Sequence, residues 1–281
     1  LKIQTKEGYS HRVTPDHRVL TSRGLLEAKD IVSGDSISLS QFGSFSNGDN
    51  PIEEALALIA GVHTGDGTNG SGCTYIDLWE NKTSVLKDEL EKGISLVLSN
   101  EIMATNGSIT PTFRPDSTGV KMRLSSTGLT RVLGRSGYVK NSIPEFVWKG
   151  NLKTVSNYLR GVYATDGHFQ GNEVSGTVSI ALSSVDLAFI KEVQLLLLNL
   201  GVVSKIYPNS TAGMRSLPDG NGGTSEYMCQ DSYRLLVSTR EGCSILNDLI
   251  HLDNYRSSKA VDYCLQELQK KPFRNTQSFK A

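Results

Sequence analysis

Two aspartates one hundred positions apart, Asp66 and Asp166, stand in nearly the same setting. The stretches Ile59-Ala60-Gly61-Val62-His63-Thr64-Gly65-Asp66-Gly67 and Leu159-Arg160-Gly161-Val162-Tyr163-Ala164-Thr165-Asp166-Gly167 share an apolar residue, a Gly-Val pair and a closing Asp-Gly. Each follows a helix-like run, Ile52 to Ile59 and Leu152 to Leu159, so each reads as the last turns of a helix closed by a C′ glycine. Small residues four apart (Gly61 and Gly65, Gly161 and Thr165) leave a flat stripe on which two helices can pack with their backbones close. That packing brings the two carboxylates together at helix C-termini, where mutual repulsion and the helix dipoles both oppose them. A divalent cation with oxygen ligands reverses the sign of the problem. The alternative, two ordinary helix ends, explains one copy better than two at domain-sized spacing.

The elements around these motifs fall into three parts. Residues 1–50 carry short strand-like segments (Leu1 to Thr5, Ser10 to Val13, Arg18 to Thr21, Ser36 to Leu39) and a Gly-, Ser- and Asn-rich linker from Gln41 to Pro51. Residues 51–150 and 151–281 read as two half-domains, each ordered helix, strands, helix, strands, helix. The first has strands at Cys73 to Trp79, Ser108 to Phe113 and Val120 to Leu124, with helices at Ser84 to Leu98 and Leu129 to Leu133. The second has strands at Thr177 to Leu182, Val202 to Tyr207 and Tyr233 to Val237, with helices at Asp186 to Leu200, Cys243 to Ile250 and Val261 to Lys270. Asn209 to Ser225 reads as a long irregular loop.

Composition sets limits. A chain of 281 residues, 38% hydrophobic and 21% charged, fits a soluble globular protein of one large or two modest domains. The longest apolar run, Leu195 to Val203, is broken by Asn199 and Gly201 and is too short for a membrane span. Cys73, Cys229, Cys243 and Cys264 lack metal-binding spacing and read as reduced thiols of a cytoplasmic protein. The start at Leu1 resembles neither a signal peptide nor an initiator methionine, which reads as a fragment or processed piece. Net charge is zero, with 29 acidic and 29 basic side chains; this counts against nucleic-acid binding unless basic residues gather on one face. An acid-rich outer helix, Glu80 to Glu91, could hold compensating charge elsewhere.

The paired motifs resemble those of two-motif LAGLIDADG homing endonucleases of the kind found inside inteins. Lys140-Asn141-Ser142-Ile143-Pro144 is similar to the lysine-x-Ile-Pro block of that family, although Lys140 departs from its spacing by one residue. Tyr255-Arg256-Ser257-Ser258-Lys259, followed by Leu265, resembles the late lysine block. Gly8 to Leu20, with Thr14 and His17, looks like the Thr-x-x-His block of a Hint splicing domain, and Glu27 to Ile31 with Gly34 to Ile37 resembles its tail.

The resemblance implies an α+β fold: two pseudo-twofold-related αββαββα half-domains with saddle-shaped antiparallel sheets, preceded by a partial all-β Hint segment. It implies a monomeric, site-specific endodeoxyribonuclease acting on a long, nearly palindromic duplex. Asp66 and Asp166 would hold Mg²⁺ (or Mn²⁺), one carboxylate per strand cut, with Lys140 and Lys259 stabilising charge nearby. The sheets would lie in the major groove and the cuts fall across the minor groove. Lys121 and Arg123 alternate with Val120, Met122 and Leu124, and Arg234 stands opposite an apolar face in the matching strand; these, with Arg240, are the candidate DNA contacts. A solvated sheet face is the alternative for either strand alone. His63 takes a place where the family often shows an extra acid, and reads as a helix-interface residue rather than a ligand.

Thr14 and His17 correspond to the pair that polarises the upstream splice junction, and the implied partners include the host protein's exteins. Splicing by this chain alone is not expected, since position 1 is Leu and the sequence ends Ser278-Phe279-Lys280-Ala281 without His-Asn. Two other readings remain: a fragment of a splicing intein whose nuclease is inactive, and a nucleic-acid-binding maturase, against which the two aspartates argue.

Overall fold

The computed structural model describes residues 1–40, 43–79, 84–102, 111–117, 119–172, 177–218 and 223–251, together with 263 and 266. Lys259 and its block, Cys264, Leu265, most of the helix read at 261–270, the start of the acidic helix at Glu80 and residues 108–110 of one expected strand lie outside the described residues.

The fold is α+β. Two small hairpins come first, β1 (Lys2–Gln4) with β2 (Ser10–Arg12) and β3 (Arg18–Thr21) with β4 (Gly24–Glu27). The strand expected at Ser36 to Leu39 is reduced to a single bridge between Ile37 and Thr21. The first hairpin leans on distant chain: Tyr9 is buried, its hydroxyl accepts from Ser204 N at 3.2 Å, and the Glu7 carbonyl accepts from Ile206 N at 2.9 Å.

The first half then runs α1 (Pro51–Asp66), β5 (Gly67–Gly70), β6 (Cys73–Trp79), α2 (Lys87–Ile102), β7 (Arg114–Pro115), β8 (Lys121–Ser126) and α3 (Thr127–Arg135). A short α4 (Glu145–Lys149) leads to the second half. That half runs α5 (Leu152–Asp166), β9 (Gly167–Asn172), β10 (Thr177–Ser184), α6 (Leu187–Asn199), β11 (Lys205–Ser210), β12 (Gly213–Pro218), β13 (Thr224–Cys229), β14 (Ser232–Val237) and α7 (Arg240–Ile250). Each half builds a four-stranded antiparallel sheet, ordered β5-β6-β8-β7 in the first and β9-β10-β14-β11 in the second. Without the β12–β13 hairpin, element order and strand order are the same in both. One buried apolar cluster, from Leu56 to Ile250, runs through both halves.

The expected irregular loop after Asn209 is instead the β12–β13 ribbon, paired from Gly213↔Cys229 to Pro218↔Thr224. Its alternation is hard to see because both faces are exposed: Met214, Leu217, Tyr227 and Met228 all meet solvent. Apolar and polar residues therefore carry no inside-outside pattern there. Strands β5 and β9 were also not anticipated, being short, Gly-rich and continuous with the preceding helices.

Candidate functional site

Helices α1 and α5 are built alike and joined along their lengths. Each starts at an asparagine cap: Asn50 accepts from Glu53 N at 3.3 Å, and Asn151 from Thr154 N at 2.7 Å. Pro51 at the first position of α1 gives up no hydrogen bond there. Glu54, buried in α1, clasps the start of α5 by accepting from Asn151 Nδ2 at 3.0 Å and pairing with Lys153 at 2.7 Å. Burial pushes the Glu54 carboxyl up, but Lys153, Asn151 and the Asn50 N–H outweigh it and hold the pKa below the usual value.

Half-way along, the backbones touch. A Cβ on Gly161 would lie 2.6 Å from Val62 N and 2.7 Å from the Leu58 carbonyl, and one on Gly61 would run into the Tyr158 carbonyl. Glycine is required there by proximity rather than by dihedral angle. One turn further, a Cβ on Gly65 would collide with Thr165 and stand 3.0 Å from Asp166 Oδ2. The Asp166 carboxylate therefore lies against α1 one residue before Asp66, whose Oδ2 is closed off from solvent. The small-residue stripe thus brings the two aspartates to the shared end of the helix pair.

The closing glycines correct one expectation. Gly67 (φ −100°) and Gly167 (φ −69°) are extended, not left-handed, and pass directly into β5 and β9. Side chains there would strike His63 and the Tyr163 carbonyl respectively, so the helix-to-strand reversal is too tight for a Cβ.

Lys140 comes to the same place. Its Nζ donates to the Gly67 carbonyl at 2.5 Å, one residue beyond Asp66. The loop carrying it is fixed from two sides. Tyr138 Oη lies 3.0 Å from His63 Nδ1 and 3.1 Å from Thr64 Oγ1 on α1, while Ile143 N donates to Glu192 Oε2 on α6 at 2.7 Å. His63 is fully buried; burial first, then the nearby Lys140 charge, pull its pKa down to about 4, so it is neutral at pH 7. Sequence reasoning missed Tyr138, which nothing but its place two residues before Lys140 marks.

The outward faces of the sheets hold most of the other candidates. On the first, Asp77 of β6 takes Lys121 Nζ at 2.8 Å and Arg123 Nε at 2.6 Å, with Lys121 5.3 Å from the centre of the Trp79 ring and Arg123 5.6 Å from that of Tyr75. On the second, Arg234 of β14 has Ser183 and Tyr207 as cross-strand neighbours, and Lys205 stands 4.6 Å from the Tyr207 ring centre. Tyr75, Asp77 and Trp79 were missed, although their period-two spacing is visible. Arg240 lies off both sheets, at the first position of α7. Thr14 and His17 are exposed in the connection between β2 and β3, with His17 6.3 Å from His11 between ring centres.

A cleft of about 250 Å³ between α1 and α2, lined by Ala55, Leu58, Leu90 and Gly93, holds neither aspartate and is not where the chemistry gathers. Among the described residues no cluster of three or more His, Cys, Asp and Glu could hold a metal. Two carboxylates completed by water and phosphate oxygens nonetheless suit Mg²⁺ or Mn²⁺, which rarely take an all-protein cage. Cys73, Cys229 and Cys243 are free thiols. Among the described residues no helix is long and apolar enough to cross a membrane.

Residues 153–250, from the start of the second motif helix to the end of α7, match the model of the LAGLIDADG-like domain. The chain carries a LAGLIDADG-like domain. It is 28% identical to the ribonucleoside-diphosphate reductase NrdEB subunit alpha of Bacillus subtilis, over 96% of this chain and 26% of that protein. It is 28% identical to a probable translation initiation factor IF-2 of Pyrococcus horikoshii, over 77% and 18%, and 25% identical to the replicative helicase DnaB of Rhodothermus marinus, over 83% and 24%. The chain spans about a quarter or less of the length of these relatives. Among solved structures it is similar to the homing endonuclease I-DmoI (14% identity, 72% of this chain and 98% of that one, TM-score 0.45). It is also similar to the N-terminal LAGLIDADG domain of DUF199/WhiA (11% identity, 75% and 86%, TM-score 0.37). I-DmoI has been crystallised with its target DNA in the presence of Mg or Mn.

Proposed function

We propose that this chain is a site-specific endonuclease for double-stranded DNA, dependent on a divalent cation and carried within an intein. The observation that carries the reading is the meeting of Asp66 and Asp166 at adjoining helix C-termini, with the Lys140 ammonium on the carbonyl of the next residue, Gly67. Acidic side chains at two negative helix ends are costly unless a cation joins them. Asp66 and Asp166 would hold Mg²⁺ or Mn²⁺, and the chemistry such an ion supplies when bound is charge neutralisation at the scissile phosphate and activation of water.

The chain's own residues do the rest. The Gly61–Gly161 contact fixes the two carboxylates relative to each other, and the Tyr138 loop fixes Lys140, whose charge can stabilise a phosphoryl oxygen as negative charge develops. Lys259 is proposed for the same duty in the second half. The two sheets, related by a pseudo-twofold axis and saddle-shaped, supply Lys121, Arg123, Arg234 and the aromatic side chains beside them to the duplex, with Arg240 as a further contact. A local basic face answers the objection of zero net charge.

The intein setting is supported by the breadth of the relatives. One segment aligns with a reductase subunit, an initiation factor and a helicase, proteins of unrelated activity, and with only a minor part of each. A portable insertion accounts for that better than a shared activity. Residues 1–50 then correspond to a segment of the splicing domain, with Thr14 and His17 as its junction-polarising pair. The test is incubation of the purified chain with a randomised duplex library and Mg²⁺, followed by sequencing of cleaved ends. One long recurrent site is expected; absence of any metal-dependent cleavage overturns the reading.

A further inference from the structure

We propose that Arg123 reads a guanine in the major groove and that Asp77 is the positioning residue that aims it; this rests on the DNA reading above. Asp77 and Arg123 are direct cross-strand partners on the outward face of the first sheet. The Asp77 carboxylate accepts from Arg123 Nε at 2.6 Å and Nη2 at 2.8 Å, engaging one edge of the guanidinium. The Tyr75 ring, 5.6 Å from Arg123 Cζ, supports the same group. The opposite edge, Nη1 with the second N–H of Nη2, remains to project two parallel donors, the pattern that matches guanine O6 and N7. Arg123 is about half exposed (47%) while Asp77 is largely covered (14%), so the acid forms the base of the arrangement and the guanidinium its tip.

The charge arrangement favours a base over a phosphate. A phosphate approaching Arg123 gains less from a guanidinium whose charge Asp77 already offsets, whereas a base edge with two acceptors uses the remaining pair of donors in full. Lys121, donating to the same carboxylate at 2.8 Å, helps keep Asp77 ionised; with Arg114, the other cross-strand partner of Arg123, and nearby Asp116 counted, the cluster carries one positive charge in excess. The fork is immobilised before DNA arrives, so its ordering is not a cost of binding. The second sheet lacks this device: the cross-strand neighbours of Arg234 are Ser183 and Tyr207, neither an acid. The guanine preference therefore belongs to one half-site and breaks the symmetry of the target.

The test is selection of bound sites from a randomised duplex pool, without divalent metal, using the full chain and the variants Arg123→Lys and Asp77→Asn. The wild type should enrich a site with guanine favoured at least about fivefold at one position, the low end of what a bidentate pair discriminates. Arg123→Lys keeps the charge, so the salt dependence of binding should persist while that single preference disappears. Asp77→Asn should weaken the same preference and leave the other half-site unchanged. A site whose guanine preference survives both substitutions overturns the inference and leaves the nuclease reading standing, as does an Asp77→Asn variant that loses affinity equally at every position. A wild-type chain that enriches no sequence overturns both.

Discussion

Lys140 Nζ rests on the carbonyl of Gly67, so a cation sits one residue beyond Asp66. A charge held there can act on the proposed reaction without being part of either sheet. Lys140→Met should therefore reduce cleavage by about 10²-fold or more, the scale seen for loss of a charge-stabilising group. Duplex affinity should stay within a few-fold of wild type. Strand-resolved gel assays with a separate binding titration check this, and nicked product should accumulate if Lys140 serves one strand.

Tyr138 ties the Lys140 loop to α1 through His63 and Thr64. Tyr138→Phe keeps the ring and removes both contacts, stranding polar atoms in the interior. A loss of about 1–3 kcal/mol is expected by urea denaturation. A double-mutant cycle with Thr64→Val should return coupling, because the two residues share a hydrogen bond.

His63 gives the chain an acid sensitivity. Burial and the neighbouring Lys140 hold its folded pKa near about 4, below the ordinary 6.5 of an exposed imidazole. Between those values the unfolded chain binds the extra proton and the folded chain does not. Stability from this group is thus complete above pH 6.5 and falls as pH drops toward 4, by at most about 1.4 kcal/mol per pH unit. Denaturation midpoints from pH 7.5 to 4.5 should show the slope, and His63→Leu should flatten it.

Gly161 has no room for a methyl group, since its Cβ position is 2.6 Å from Val62 N. Gly161→Ala must push α1 and α5 apart, costing about 1–3 kcal/mol or more. Because that contact also sets the spacing of Asp66 and Asp166, cleavage should fall further than stability alone explains when assayed well below the melting temperature.

The parts of this molecule that were legible in the sequence are those where local chemistry and burial agree. Small residues at four-residue spacing and Asp-Gly at the end describe one helix pair, and α1 and α5 follow them; the asparagine before each helix, also visible in the sequence, proves to be its cap. The strands β6, β8, β10 and β14 were visible because one face is buried and the other polar. The β12–β13 ribbon was not, since neither face is buried, and β5 and β9 were not, since Gly67-Thr68-Asn69-Gly70 reads as a turn. At the site, the aspartates were singled out by their duplicated setting, and Lys140 by the resemblance of its block despite a spacing off by one. Tyr138 and Asp77 were not, because their importance comes from distant partners: Thr64 and His63 lie 74 and 75 positions from Tyr138, and Lys121 and Arg123 lie 44 and 46 from Asp77.

The most direct measurement is Mg²⁺-dependent cleavage of the uninterrupted host allele by wild type, Asp66→Asn and Asp166→Asn, with each DNA strand labelled and binding measured in parallel. The account predicts that either substitution abolishes double-strand cleavage while the duplex is still bound. Normal cutting of both strands by either variant would contradict it.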